Sequence, residues 1–310
     1  MENDQFHKLT TCLLVYNHDH LLEKVITNIL EQSFSDFKLI ISDDCSTDNS
    51  YLIAKRFESL DNRVEVIKTP SNLGMAGNAN YAIGMVASEF VALLHHDDLL
   101  KYETFAEWLS CIESNTNIAF VFNDYKTSES ISTNSPISRK LRYINPGKII
   151  LKKFLLKRWG SPVRGTAIIR KKYFDEAGGM HEKFGLLADV DLWMRLAARW
   201  DVGYINKPLI NVLEARPDGY PKDYTEFSWK RLFLLFDIHS SSINQQNYSG
   251  YLSYLLKRFV FRNNVSFEII KWHLYALIKR KKEIIKSFPD ESPYELFYSK
   301  IIRLITRAFN

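Results

Sequence analysis

The first 125 residues alternate short runs of β-branched and apolar residues with longer amphipathic runs, and this alternation constrains the fold more than any other feature. Short apolar runs are typical of buried strands, and amphipathic runs are typical of helices that cover a sheet. The pattern predicts strands over residues 9–16, 37–43, 63–68, 90–95 and 118–123, and helices over 20–32, 47–57, 75–86 and 99–114. It therefore favours a doubly wound α/β sheet, in which ligands bind beyond the carboxyl ends of the strands.

The pattern changes twice after residue 125. Residues 126–146 are rich in Ser and Asn and predict a loop, followed by strands over 165–170 and 202–206, the second ended by Pro208, and a helix over 189–199 between them. After residue 222 strand signals vanish, and helices are predicted over 227–239, 251–262, 266–286 and 293–309. The sequence thus predicts an α/β domain over residues 1–222 and a helical C-terminal region over 223–310.

Composition excludes several classes of protein. Hydrophobic residues make up 46% and charged residues 25% of the 310 positions, as in ordinary globular proteins and unlike disordered chains. The three cysteines are isolated, which argues against a zinc site or a redox pair and favours a reducing compartment. The polar N-terminus does not resemble a secretory signal, and no apolar run is long enough to span a bilayer. We expect a cytoplasmic protein.

The positive charge is concentrated at the C-terminus. Residues 251–310 contain 12 Lys and Arg against 5 Asp and Glu, while the rest of the chain is close to neutral. This distribution argues against binding of nucleic acid by the α/β domain. Within residues 266–309 apolar side chains recur at helical spacing beside basic ones. Two interpretations stay open: these helices pack on the α/β domain, or they dock on an anionic membrane surface.

A first group of carboxylates follows the predicted strand 37–43. Asp48 suits the first turn of the next helix, where its negative charge would interact favourably with the positive end of the helix dipole. That explanation does not cover Asp43 and Asp44, which stand side by side where the strand leaves the core. Such a placement is costly unless the carboxylates accept hydrogen bonds, so ligand contact and a purely structural role are both open.

A second group, His95, His96, Asp97 and Asp98, follows the predicted strand 90–95. One interpretation is that an aspartate caps a helix beginning at Leu99. The other is that a divalent cation, held together with a diphosphate, keeps the adjacent carboxylates together. The two histidines project to opposite sides of an extended chain, so zinc binding by both is not expected. Magnesium or manganese on Asp98 is the better hypothesis.

A third carboxylate, Asp189, opens a predicted helix, where it is either a cap or a general base. Motifs that are absent from the sequence argue against several classes of enzyme. The chain contains no phosphate-binding G-x-x-x-x-G-K-[ST] loop, no G-x-G-x-x-G after the first strand and no G-x-S-x-G elbow. An NTPase, a dinucleotide-dependent dehydrogenase and an esterase are therefore disfavoured.

Taken in order, short motifs over residues 8–216 resemble the inverting family-2 glycosyltransferases of the GT-A fold. The motifs are Val15-Tyr16-Asn17, Gln32-Ser33, Asp43-Asp44-x-Ser46-x-Asp48, Asn72-Leu73-Gly74, Asn80, Asp97-Asp98, Gly178-Gly179 and Asp189-x-Asp191-Leu192-Trp193-x-Arg195. The resemblance implies a mixed sheet flanked by helices in a catalytic domain over 1–222, with an α-helical appendage. It also implies transfer of a sugar from a nucleotide diphosphate to an acceptor hydroxyl, with inversion, in surface polysaccharide assembly.

The resemblance also implies roles for individual residues. Tyr16 would stack on the base, Asp44 would accept its imide N–H, which favours a uracil or thymine nucleotide, and Asp97 would contact the ribose. Asp98 would hold Mn²⁺ or Mg²⁺ on the diphosphate, and Asp189 would be the general base. The other residues assigned to the nucleotide sugar are Asn17, Asp43, Asn72, Asn80 and Arg195. Trp193 is expected in the core.

Three positions depart from the family pattern. His95 and Ala188 stand where the family has acidic residues, and Arg216 falls where many members carry an Arg-x-His pair. These departures keep a second hypothesis open, a catalytically silent module of the same fold that binds a nucleotide sugar or a partner enzyme. A nucleotidyltransferase ranks third, because the first strand is not followed by a glycine-rich loop with Arg and Lys. The expected partners are a nucleotide-sugar donor and a glycan or lipid-linked acceptor. Under the membrane interpretation, the C-terminal helices would also bind the inner face of the membrane.

Overall fold

The sheet is described from a computed structural model that covers residues 7–127, 141–151, 163 and 165–213. Within these ranges the strands are β1 (Leu9–Val15), β2 (Phe37–Asp43), β3 (Val64–Lys68), β4 (Phe90–His95), β5 (Asp98–Leu100), β6 (Ile118–Thr127), β7 (Ile144–Asn145), β8 (Ala167–Arg170) and β9 (Asp201–Val212). They form one sheet in the order β3-β2-β1-β4-β8-β6-β9-β5, and β7 pairs with β9. β1 to β4 are parallel, whereas β8 runs antiparallel to both of its neighbours. The predicted mixed sheet is confirmed.

Helices flank the strands, as predicted. They are α1 (Asp19–Leu30), α2 (Ser50–Leu60), α3 (Gly74–Gly84), α4 (Thr104–Glu113), α5 (Gly147–Ile150), α6 (Lys171–Glu176) and α7 (Ala188–Arg199), with a 3-10 helix at Glu182–Leu187. In α1 the buried residues recur every three or four positions, so that one face of the helix is apolar: Leu22, Val25, Ile26 and Ile29. All seven residues of β1 are buried, as expected for a central strand that is covered on both faces.

The segment after β4 differs from the prediction. A helix was expected from Leu99, but residues 98–100 form the short strand β5, antiparallel to β9, and α4 begins only at Thr104. Asn28 of α1 supports this strand, because its side-chain amide donates to Leu100 O at 3.0 Å and its Oδ1 accepts from Leu100 N at 2.7 Å. The hypothesis that Asp97 or Asp98 caps a helix at Leu99 is therefore wrong.

β9 also extends further than predicted. It was expected to end before Pro208 but continues to Val212 beside β6, which itself reaches Thr127. The pairing with β6 shifts register between Ile205 and Pro208, so the irregular stretch accommodates the proline that cannot donate a ladder hydrogen bond. The bulge lets the strand resume and pair with β5.

The chain divides into two compact units, Met1–Pro217 and Asp218–Asn310, and every described residue belongs to the first. The predicted boundary at residue 222 and the predicted helices of residues 223–310 lie outside the described residues. In the described ranges no helix combines the length and the apolar character that crossing a membrane requires.

Gly147 lies where helix α5 meets the end of α7, and this position leaves no room for a side chain. A Cβ at Gly147 would overlap the backbone carbonyl oxygens of Ala197 and Trp200, which cannot move without distorting α7. We expect Gly147→Ala to lower the free energy of unfolding by about 2 kcal/mol, measured by urea denaturation. Gly84→Ala is the control, because a Cβ at Gly84 meets no atom within 4 Å. Equal stability of the two variants would contradict the overlap.

Candidate functional site

The carboxyl ends of three adjacent parallel strands bring most of the predicted site residues to one edge of the sheet. In the register of β1 with its neighbours, Val15 pairs with Asp43 and Leu14 pairs with His95. The loops that follow these pairs carry Tyr16 and Asn17, Asp44, and Asp97 and Asp98. This edge is where α/β sheets bind ligands, as the sequence predicted.

The loops after β1 and β2 are tied to each other by side-chain hydrogen bonds. Asn17 has a φ of 49° and accepts from Thr47 N at 2.7 Å through Oδ1, while its own N–H donates to Ser46 Oγ at 3.0 Å. These contacts tie Ser46 and Thr47 to the loop after β1, and α2 begins at Ser50 and not at the predicted Thr47. The linked loops leave Tyr16 with 45% of its surface exposed, at the edge of the sheet.

Asp43 and Asp44 are both buried, but they are bonded differently. Asp43 accepts from Ser46 N at 3.1 Å through Oδ1, and its buried Oδ2 has no hydrogen-bond partner among the described residues. Asp44, 2% exposed, accepts through Oδ1 from Thr69 Oγ1 at 2.9 Å and from Leu73 N at 2.8 Å. The loop after β3, which carries Thr69 and Leu73, thus fixes one oxygen of the Asp44 carboxylate.

Asp98 is held from the neighbouring strand. It is 2% exposed, its backbone pairs with Val212 in the sheet, and its Oδ2 accepts from Thr166 Oγ1 at 2.5 Å. The same hydroxyl accepts from His95 N at 3.3 Å. Asp97 is half-buried, and its carbonyl accepts from Leu213 N. The segment after β4 is therefore fastened to residues immediately before β8 and at the end of β9.

The two histidines of this segment have different surroundings, as the alternation of an extended chain predicts. The ring of His95 packs so tightly against Gly165 that a Cβ on that glycine would overlap it. His96 Nδ1 lies 3.0 Å from Leu14 O, and its ring packs on His18 at 4.0 Å between centroids. The described residues contain no group of three or more His, Cys, Asp or Glu arranged to hold a metal ion.

A buried histidine beside the site was missed by the sequence analysis. His18, the residue before α1, packs between His20 and His96, with a ring centroid 4.3 Å from that of His20. Burial, together with the neighbouring His96 and His20, lowers the pKa of His18 to about 4, so the ring is neutral near pH 7. Its position directly after β1 was the signal available in the sequence.

Asn72 and Asn80, both predicted to contact the nucleotide sugar, bond to the protein backbone. Asn72 Oδ1 accepts from Gly74 N at 3.1 Å, which stabilises the start of α3. The amide of Asn80 donates to Met180 O and accepts from Met180 N, both at 2.8 Å, so that it acts like a strand partner for that residue. This geometry gives Asn80 a structural role, and its contact with the nucleotide sugar stays a prediction.

Arg195 is also directed to the protein. Its guanidinium donates to Asp191 Oδ2 at 2.8 Å, to Ala177 O at 2.5 Å and to Gly179 O at 2.7 Å. The residue thereby clamps the glycine turn 177–179 onto α7, and its role in binding the nucleotide sugar stays a prediction. Trp193, on the same helix, is fully buried against Phe120 at 4.8 Å between centroids, and its predicted place in the core is confirmed.

Asp189 lies on α7, far along the sequence from the strand-end residues. It is the second residue of α7, half-buried, and its Oδ1 accepts from Val190 N at 2.7 Å. The 3-10 helix before α7 packs on α3, and a Cβ built at Gly77 of α3 would lie 3.5 Å from Glu182 Oε1. Helix α3 directly follows Leu73, whose N–H donates to Asp44 Oδ1. α3 therefore connects the element leading to Asp189 with the edge of the sheet. Arg216 lies outside the described residues.

Part of the chain is similar in sequence to known glycosyltransferases. The chain is 30% identical over 140 residues to the UDP-Glc:alpha-D-GlcNAc-diphosphoundecaprenol beta-1,3-glucosyltransferase WfgD of Escherichia coli, an alignment that covers 45% of this chain and 52% of that enzyme. The chain thus spans about half the length of that relative.

Two solved structures have the same fold at low sequence identity. TarS 1–349 of S. aureus in complex with UDP has a TM-score of 0.58 and 17% identity, covering 75% of this chain and 65% of that one. The mannosyltransferase PcManGT of Pyrobaculum calidifontis in complex with GDP-Man and Mn²⁺ has a TM-score of 0.57 and 16% identity, covering 97% and 80%. The fold is GT-A, as predicted.

The family profile described as Glycosyl transferase family 2 matches residues 10–178, more than half of the chain. The match begins in β1 and ends in the glycine turn held by Arg195, so it includes every strand-end residue described above. The chain therefore belongs to glycosyl transferase family 2.

Proposed function

We propose that this protein transfers a sugar from a uridine diphosphate donor to an acceptor hydroxyl with inversion at the anomeric carbon. The observation that carries the proposal is the convergence of an exposed aromatic ring, Tyr16, with the buried carboxylates Asp44 and Asp98 at the carboxyl ends of adjacent strands. An aromatic ring and carboxylates at the ligand-binding edge of the sheet match what a nucleotide diphosphate offers, a base to stack and hydrogen-bond and phosphates that are held through a cation.

The base of the donor is assigned to the linked loops after β1 and β2. The exposed ring of Tyr16 offers a stacking surface, and Asp44, whose Oδ1 already accepts two hydrogen bonds, would accept the imide N–H of uracil through Oδ2. Asn17 and Asp43 would hold the shape of this pocket, because both accept from backbone N–H groups of the loop 46–47. Asp97, half-buried in the segment after β4, would contact the ribose.

A divalent cation fits the diphosphate end of this site, with one carboxylate from the protein. Magnesium and manganese prefer oxygen ligands, and such ions are often held by one or two carboxylates together with substrate phosphates and water. Asp98 would supply that carboxylate, since its orientation is fixed by Thr166 and the sheet. When bound, the ion would neutralise charge on the departing diphosphate. The neighbouring structure with GDP-Man and Mn²⁺ supports this part of the proposal.

Asp189 is proposed as the general base. It would take the proton of the acceptor hydroxyl as that oxygen attacks the anomeric carbon from the face opposite the diphosphate, so that configuration inverts in one displacement. Asp189 lies in the first turn of α7, a segment separate from the strand ends that carry Asp44 and Asp98, so it would meet the acceptor while those carboxylates hold the donor.

The acceptor is proposed to be a lipid-linked sugar in the assembly of a surface polysaccharide. The E. coli relative acts on a sugar carried by diphosphoundecaprenol, and the C-terminal residues of this chain are rich in Lys and Arg. With a catalytic domain over residues 1–222, the helices that the sequence predicts over 223–310 would supply the attraction to an anionic membrane surface.

The donor assignment is tested by thermal unfolding with nucleotides. We expect UDP with Mn²⁺ to raise the melting temperature, because a ligand that binds only the folded state stabilises it by about 2.7 kcal/mol at a hundred times its dissociation constant. GDP at the same concentration is the control and should give a smaller shift, since guanine offers a different hydrogen-bonding edge to Asp44. No shift by UDP with any divalent cation would overturn the proposal.

A further inference from the structure

Each of the two carboxylates assigned to the donor is hydrogen-bonded by a buried threonine hydroxyl from another segment. Thr69, 3% exposed, donates to Asp44 Oδ1 at 2.9 Å, and Thr166, 1% exposed, donates to Asp98 Oδ2 at 2.5 Å. Neither threonine belongs to the motifs by which the chain resembles its family. The family motifs therefore do not explain why these two hydroxyls contact Asp44 and Asp98.

Hydrogen bonds of its own backbone hold Thr69 in place, independently of its contact with Asp44. Its backbone N–H donates to Asp43 O at 3.0 Å, and its carbonyl accepts from Cys45 Sγ at 3.1 Å. Because the carbonyl of Asp43 is already bonded by that N–H, the single hydroxyl proton is best directed to the nearer, charged Asp44 Oδ1. Leu73 N supplies a second donor to the same oxygen, and the carboxylate plane is thereby set.

Thr166 has a corresponding place on the other half of the site. Its Oγ1 accepts from His95 N at 3.3 Å, which leaves the hydroxyl proton for Asp98 Oδ2. The residue lies just before β8, the strand that pairs antiparallel with β4, so the sheet fixes its position relative to the end of β4. Gly165 beside it leaves room for the ring of His95.

A carboxylate that is 2% exposed has lost most of its water, so the direction in which it accepts further contacts depends on the donors that the protein supplies. Removal of a hydroxyl would let the carboxylate turn about its side-chain torsions toward other donors. A misdirected carboxylate meets a ligand less well, which lowers affinity for the part of the ligand that it contacts.

We propose that Thr69 and Thr166 are positioning residues for two separable halves of the donor site. Thr69 orients Asp44 toward the base, and Thr166 orients Asp98 toward the cation and the diphosphate. This inference rests on the proposed function, because it takes the assignments of Asp44 and Asp98 from there. It adds the means by which each carboxylate is aimed and predicts that the two halves fail independently.

The test compares Thr69→Val and Thr166→Val with the wild-type full chain in two binding measurements. The first is the dissociation constant of UMP without divalent cation, by ligand-detected NMR. The second is the factor by which Mn²⁺ strengthens UDP binding, by titration calorimetry. Valine keeps the shape of threonine and removes the hydroxyl, and the loss of a hydrogen bond to a charged group corresponds to about tenfold in affinity.

We expect Thr69→Val to weaken UMP about tenfold and to leave the Mn²⁺ factor unchanged. We expect Thr166→Val to leave UMP unchanged and to reduce the Mn²⁺ factor about tenfold. The conservative variants Thr69→Ser and Thr166→Ser retain the hydroxyl and should restore each property. A merely structural role would lower both quantities together in both variants, so each valine variant is the control for the other.

The inference would be overturned if both variants weakened UMP and reduced the Mn²⁺ factor to the same extent, or if both kept wild-type values. Either result would leave the proposed function standing. A wild-type protein that binds neither UMP nor UDP would overturn both. Circular dichroism establishes that each variant is folded. If a valine variant is not, the alanine variant at the same position is measured against the same criteria, and its failure to separate the two quantities overturns the inference.

Discussion

Replacement of Asp189 by Asn is expected to lower the turnover number about a thousandfold while the affinity for UDP stays unchanged. General base catalysis typically contributes between two and four orders of magnitude to a rate, and asparagine cannot take a proton. The substitution is nearly isosteric, and its side-chain oxygen can still accept from Val190 N, the contact that Asp189 Oδ1 makes at the start of α7. Transfer from UDP-sugar to acceptor, or donor hydrolysis where the acceptor is unknown, provides the rate.

Asp175→Asn is the matched control for this experiment. Asp175 is an exposed carboxylate of α6 that pairs with Lys171, so its neutralisation should leave the rate and the binding of UDP unchanged. An unchanged rate in Asp189→Asn would contradict the assignment of the base. Wild-type protein that binds UDP but shows neither transfer nor hydrolysis would instead favour the catalytically silent module, for which Ala188 and His95 are the sequence arguments.

The strands that build the site were predictable because their signals are local. Residues 37–43 and 90–95 were predicted with the bounds that the structure gives to β2 and β4, since a short apolar run that ends at polar residues defines a buried strand without reference to the rest of the chain. The rule that ligands bind at carboxyl ends then pointed to Asp44 and Asp98.

The short strand β5 was not predictable in this way. Its partner, residues 210–212 of β9, lies more than a hundred positions further along the chain, and the capping amide of Asn28 comes from the first helix. Both contacts are non-local, so the three residues Asp98–Leu100 carry no periodic signal of their own. The extension of β9 past Pro208 depends on the same pairing.

A motif position does not specify which groups of the protein a side chain contacts. Asn80 and Arg195 stand at motif positions, but the structure directs their side chains to Met180 and to the glycine turn. Thr69 and Thr166 contact Asp44 and Asp98, the carboxylates that we propose bind the sugar donor. Neither threonine lies in a recognisable motif, because a single threonine next to a strand is common. Only the three-dimensional arrangement distinguishes the two kinds of residue.

Replacement of Arg195 by Ala is expected to lower the free energy of unfolding by about 3 kcal/mol, measured by urea denaturation. Asp191, 2% exposed, would lose its 2.8 Å contact with Nε and retain His181 Nδ1 at 3.0 Å. The carbonyls of Ala177 and Gly179 would lose their donors as well. A charge left buried with too few partners accounts for most of the expected loss.

The comparison that decides the role of this residue uses three variants of α7. Arg199→Ala removes an exposed guanidinium that donates to Glu176 O and lies 4.7 Å from the centroid of the Trp200 ring, so we expect a loss of about 1 kcal/mol or less. Arg195→Lys keeps the charge but not the planar fork that reaches three acceptors, and should fall between Arg195→Ala and the wild type. If Arg195→Ala kept wild-type stability and bound UDP more weakly, the arginine would be a ligand of the nucleotide sugar and not the clamp of the glycine turn. Loss of stability with UDP affinity retained below the melting temperature is the result that a clamp requires.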